Sequence, residues 1–243
     1  MVVSREYVEV PVDGRAMRAF VAAPRSGGPH PGVVFYSDIF QLTEPTLRWA
    51  VRLAGYGFLV AVPEIYHRLE PAGTVLEFDD EGKVRGQGDA DATPTADFDA
   101  DIDAALGWLR DHAGAAIGAA GHCTGGHLAF RAALRPEVRA TACWYATGLH
   151  DGKLGADEAG SLARADEIGG DLLMIWGTRD PHTPEAGREL IRGRLDGLAT
   201  RLTWREYDAA HAFGRDVGDR FDPEVTDVAF AETIALFRRT LTG

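Results

Sequence analysis

The segment Gly121-His122-Cys123-Thr124-Gly125 has the spacing of a nucleophile elbow, glycine-x-nucleophile-x-glycine, with a cysteine in the reactive place. A nucleophile on a sharp strand-to-helix turn needs neighbours without side chains, so that the backbones can approach closely. Backbone N–H groups and the positive end of the following helix would then favour a thiolate and a developing oxyanion. A cysteine standing alone would read as a small buried hydrophobe; the elbow and the groups downstream favour catalysis. A thiol needs a base, and the base needs a third group to hold its tautomer. Of the eight histidines, His211 has the best context, in the small-residue turn Ala209-Ala210-His211-Ala212 after a final strand. His182 is the rival, two residues beyond Asp180. His122 should point away from the turn, His127 lies one turn into the helix, and His30, His112 and His150 read as exposed. His67 opens a long irregular stretch, where a surface role is favoured. Asp180 follows Gly177 at the end of a core strand and is the candidate orienting carboxylate; its bland alternative is to cap the next helix. The oxyanion donors would be the backbone N–H groups of Thr124 and Ile39.

The elements that must position these groups can be read in order. Asp13-Gly14 between Arg5–Val12 and Arg15–Ala23 predicts a two-residue hairpin. Gly32–Tyr36, Phe58–Val62, Ala115–Ala120, Val138–Ala146, Asp171–Trp176 and Arg201–Tyr207 read as strands, several of them continuously apolar, as in a sheet covered on both faces. Helices are expected over Glu44–Gly55, Phe98–His112, from the elbow onward, from Pro184 (well placed for a first turn) to Leu195, and over Val225–Leu241, with a short one near Leu162. From Glu64 to about Ala96 the pattern dissolves into acidic, Gly- and Pro-containing sequence, read as an excursion over the strand ends or as a solvated loop. A hairpin followed by alternating strands and helices predicts an α/β fold with a mostly parallel, doubly wound sheet, and one domain over residues 1–243. In such sheets reactive groups gather past the carboxyl ends of the strands. Asp38, Cys123, Asp180 and His211 each fall just after a predicted strand.

Composition narrows the partners. A formal charge of −12 argues against nucleic acid or an anionic membrane, but not against a small anion held by local arginines. Two cysteines are too few for a disulfide framework, and Cys143 in RATACWYAT reads as core packing. The start MVVSREYVEV lacks a signal-peptide layout, and no apolar run approaches the ~20 residues that span a bilayer, so a cytoplasmic location is the expectation. HxxxH, CxxC and HExxH spacings are missing, which argues against a catalytic metal, and no P-loop or dinucleotide fingerprint is present to cradle a phosphate.

The cysteine elbow, Gly177-x-x-Asp180, Ala210-His211-Ala212-Phe213 and Asp38-Ile39-Phe40 together resemble the dienelactone hydrolase family, over nearly the whole chain. The order nucleophile, acid, histidine is that of α/β-hydrolases and favours His211 over His182. The resemblance implies an α/β-hydrolase fold and a triad of Cys123, His211 and Asp180. It also implies hydrolysis of an ester or lactone through a thioester, without a cofactor. The expected partner is a small-molecule ester or lactone, with monomer and homodimer both left open. By the same resemblance, Asp38 would partner the resting thiol and Arg215 would hold a substrate carboxylate, with Arg85 a guess for a second arginine. Asp38 stands where the best-known members have glutamate, and Ala210 where glycine is usual; these departures leave the reaction class and open the substrate. Neutral esters, activated phosphoesters, or a redox-sensing or ligand-binding thiol on the same scaffold are the alternatives.

Overall fold

In a computed structural model describing residues 2–25, 27–114 and 116–242, Asp13 and Gly14 both take positive φ, 48° and 73°. That geometry follows the twist of paired strands, and it folds β1 (Val3–Val12) onto β2 (Arg15–Pro24). The next strands are β3 (Gly32–Tyr36) and β4 (Leu59–Pro63), then β5 (Ile117–His122) and β6 (Val138–Trp144). After β6 a small hairpin of β7 (Lys153–Leu154) and β8 (Asp157–Glu158) stands apart, and β9 (Asp171–Gly177) and β10 (Leu202–Tyr207) follow. Among the described residues eight strands form one sheet in the order β1-β2-β4-β3-β5-β6-β9-β10. The pairings β1–β2 and β2–β4 are antiparallel; from β4 to β10 the sheet is parallel.

Every residue of β3, β4 and β5 is buried, which is why these segments carry continuous apolar runs and not an alternating pattern. One face packs on α3 (Thr95–His112), α4 (Thr124–Ala132) and α5 (Glu185–Leu195) through Ile102, Leu106, Leu128 and Ile191. The other packs on α1 (Glu44–Ala54) and α6 (Pro223–Leu241) through Trp49, Leu53, Phe230 and Phe237. Each such side chain contributes about 1.5–3 kcal/mol on burial. The sheet is therefore doubly wound, and its parallel strands all point their carboxyl ends to one edge.

The excursion differs from the expectation. It contains α2 (Asp80–Ala92), and α3 begins at Thr95, three residues before the expected start. Asp79 caps α2 by accepting from the Gly82 N–H at 2.8 Å. The helix carries no apolar stripe because the residues it buries are Gly82 and Gly86. A Cβ on Gly82 would stand 2.1 Å from the Glu77 carbonyl oxygen, and one on Gly86 would stand 2.4 Å from that of Ile39. A helix docked on its glycines leaves no 3.6-residue hydrophobic period to read. Smaller differences lie at element ends. Pro184 is the residue before α5 and not within its first turn, and a 3₁₀ turn at Ala165–Glu167 replaces the short helix expected near Leu162. Cys143 is fully buried in β6, where burial pushes its thiol pKa up, so it stays protonated packing.

Candidate active site

The chain turns from β5 into α4 at Cys123, whose φ of 58° and ψ of −122° lie outside the conformations a side-chain-bearing residue normally takes. Such strain costs on the order of 1–3 kcal/mol and persists where the surroundings over-determine it. Here the Cys123 N–H donates to the Trp144 carbonyl at 3.0 Å. The Cys123 carbonyl accepts from Gly126 N at 2.9 Å and from His127 N and Thr147 N, each at 3.3 Å. The flanking glycines are obligatory. A Cβ on Gly121 would stand 2.0 Å from the Gly125 carbonyl oxygen, and one on Gly125 would stand 2.3 Å from those of Tyr36 and Ser37. His122 turns into an aromatic cluster with ring centroids of Trp49 at 4.5 Å and Phe35 at 5.1 Å. Burial there lowers its pKa to about 3, so the ring stays neutral and away from the thiol.

Loops after β9 and β10 bring in Asp180 and His211. His211 Nδ1 lies 2.6 Å from Asp180 Oδ2, while Asp180 Oδ1 accepts the His182 backbone N–H at 2.8 Å. Both side chains are almost fully buried. Burial disfavours the charged ring of His211, but the negative charge of Cys123, followed by the hydrogen bond to Asp180, more than offsets it and raises the pKa to about 10. Asp180 is also desolvated, yet its bond to His211 holds its pKa below the usual range. His182 is close, with its ring centroid 4.5 Å from that of His211. Its pKa is lowered by burial and then by the positive charge of His211. Asp180 thus takes the ring of His211 and only the backbone of His182, which separates the two candidate bases.

Cys123, Thr124 and His211 line a cavity of about 360 Å³ with Ile39, Asp38 and Arg215. The N–H groups of Thr124 and Ile39 donate to no acceptor among the described residues, and Thr124 opens α4 with its positive dipole end. Two free backbone donors beside a cysteine can stabilise an oxyanion. Asp38 accepts the Phe40 N–H at 3.0 Å and pairs with Arg215, Nη1 to Oδ2 at 3.6 Å. Burial raises the Asp38 pKa, and Arg215 draws it partly back. No hydrogen bond joins Asp38 to Cys123 among the described residues; its partner is the arginine. Arg85 is not at the site: it is held by Glu70 at 2.6 and 2.5 Å on the exposed side of α2. The further cations on the cavity wall are Lys83 of α2 and Arg220. Neither gave a signal in the sequence, because α2 has no periodicity and Arg220 lies in an irregular acidic loop. Phe78 also lines the cavity and was missed for the same reason. Among the described residues no cluster of His, Cys, Asp and Glu has metal-holding geometry, and no helix is long and apolar enough to cross a membrane.

The comparisons agree with this architecture. The family model for the dienelactone hydrolase family matches residues 17–241. A Saccharomyces cerevisiae protein described as a "putative carboxymethylenebutenolidase" is 35% identical over 242 residues, covering 94% of this chain and 88% of its own. A Synechocystis protein of the same description is 26% identical and covers 96% of each chain. A crystal structure described as a "putative dienelactone hydrolase" from Klebsiella pneumoniae superposes with a TM-score of 0.83, covering 98% of this chain and all of that one. At 23% identity that likeness concerns the fold. With strand order, elbow and family match in accord, the chain has the α/β-hydrolase fold and belongs to the dienelactone hydrolase family.

Proposed function

We propose that this hydrolase cleaves carboxylic esters or lactones of small molecules through a Cys123–His211–Asp180 triad and a thioester, with no cofactor. The observation that carries the reading is the 2.6 Å bond between His211 Nδ1 and Asp180 Oδ2. It fixes the ring and leaves Nε2 for the thiol, in a site where the charge of Cys123 raises the pKa of His211. Below about pH 10 the ring therefore carries a proton, and the reactive form of the sulfur beside it is the thiolate. The sulfur attacks the carbonyl carbon, and the oxyanion is met by the Thr124 and Ile39 N–H groups. Collapse breaks the bond to the leaving oxygen, which takes the proton from Nε2. Acylation removes the charge on sulfur, and with it the strongest influence that kept His211 protonated. The ring is then a base: it takes a proton from water, the water oxygen attacks the thioester, and cleavage of the C–S bond returns the thiolate and releases the acid.

Within this mechanism a neutral ester is a second substrate reading, favoured because Asp38 already occupies Arg215. The test of the triad is p-nitrophenyl ester turnover by Cys123→Ala and His211→Ala. Losses of about 10³-fold or more are expected, as for triad members that act as a unit. Wild-type turnover by both variants ends the proposal. A panel of lactones, half-esters and diesters then separates the substrate readings.

A further inference from the structure

Behind the elbow lies a buried polar chain that the mechanism above does not use. Arg131 of α4, almost fully buried, is clamped by both carboxylate oxygens of Asp99 and donates from Nη1 to Ser161 Oγ at 2.9 Å. Ser161 Oγ lies 2.7 Å from His127 Nε2, and His127 Nδ1 lies 2.8 Å from the carbonyl oxygen of Thr147. The direction of each bond follows from chemistry. A carbonyl can only accept, so Nδ1 carries the proton. Burial lowers the pKa of His127 to about 4, which keeps the ring neutral and makes Nε2 an acceptor for the Ser161 hydroxyl. The Ser161 oxygen then accepts from Arg131. Every member is satisfied, the condition under which a buried network specifies a single arrangement.

The far end of this chain is the nucleophile's own backbone. Of the three N–H groups on the Cys123 carbonyl, Gly126 and His127 belong to α4, and Thr147 comes from the loop after β6. His127 therefore holds the elbow twice: its backbone N–H is on the Cys123 carbonyl, and its ring fixes the carbonyl of Thr147, the residue whose own N–H is on that same oxygen. Thr147 also lines the cavity. Because the Cys123 backbone is held in a strained conformation, a loosened Thr147 would let the sulfur drift. We propose that His127 is a positioning residue for Cys123, acting through the carbonyl of Thr147. The inference rests on the reading of Cys123 as nucleophile.

Two conservative variants separate the two bonds. The amide of asparagine reaches the place of Nδ1 and can still donate to Thr147; that of glutamine reaches the place of Nε2 and can still meet Ser161. His127→Gln is expected to lower kcat for p-nitrophenyl butyrate about tenfold with KM within about twofold, a loss of alignment and not of binding. His127→Asn is expected to keep kcat within about threefold of wild type. Alkylation of Cys123 by iodoacetamide, followed by intact mass, should fall in the same order, and this readout needs no ester substrate. Ser161→Ala keeps the bond to Thr147 and should stay within about twofold of wild type, so the proposal can be judged even if His127→Gln does not fold. Wild-type kcat and alkylation in His127→Gln overturn the proposal. So does an asparagine variant as slow as the glutamine variant at equal melting temperature, or a tenfold loss in Ser161→Ala. Turnover that survives Cys123→Ala overturns the proposed function instead, and the alkylation order still decides the role of His127.

Discussion

Arg215 Nη1 stands 3.6 Å from Asp38 Oδ2, and the same guanidinium lies over the ring of Phe78 at 4.3 Å. Arg215 is thus engaged before any substrate arrives. Asp38→Asn removes the competing charge while keeping the size of the side chain. The preference for a monoethyl ester of a dicarboxylic acid over its diethyl ester, measured as a ratio of kcat/KM, should rise about tenfold, or about 1.4 kcal/mol. An unchanged ratio would mean that Arg215 does not meet the substrate's carboxylate.

The pH dependence follows from His211. Its pKa is raised to about 10, so the ring is protonated through the neutral range and loses its proton as pH rises through that value. An alkyl ester needs that proton on its leaving alkoxide, whereas p-nitrophenolate leaves without one. The acylation rate of an ethyl ester should therefore decline through about pH 10, and that of a p-nitrophenyl ester should decline less. Pre-steady-state rates for the two substrates over pH 7 to 11 check this, and parallel profiles would contradict it.

Helix α2 should govern the oxyanion loop through a glycine. At Gly86 a Cβ would press on the Ile39 carbonyl oxygen at 2.4 Å, while a Cβ on Gly88 meets nothing within 4 Å. Gly86→Ala should lower kcat/KM about tenfold or more by displacing α2 or Ile39. Gly88→Ala should leave activity intact and stabilise the helix by about 0.5–1 kcal/mol, the difference in helix propensity. Steady-state kinetics and urea melts of the two variants make the comparison.

What the sequence disclosed was local. The elbow was readable because two glycines and a cysteine at fixed spacing meet one steric demand, visible in the clash a Cβ would make at Gly121 or Gly125. Asp180 and His211 were readable because residues just past buried parallel strands must emerge at one edge. The partner of Asp38 was not, since Arg215 reaches it only once the loop after β10 has folded back across the site. Helix α2 was hidden because it buries Gly82 and Gly86 where an amphipathic helix would bury leucine, and Lys83 was hidden with it. The chain from Asp99 to Thr147 was equally out of reach: it joins α3, α4 and two loop residues whose types, taken singly, are ordinary.

The central claim is that the acyl group passes through the sulfur of Cys123, and trapping that species tests it most directly. p-Nitrophenyl dimethylcarbamate gives an acyl group whose release by water is slow, so intact mass and peptide mapping can find where it rests. One carbamoyl group on Cys123, missing in Cys123→Ala, is the predicted result. Label on another residue, or equal labelling of the Cys123→Ala protein, would contradict it.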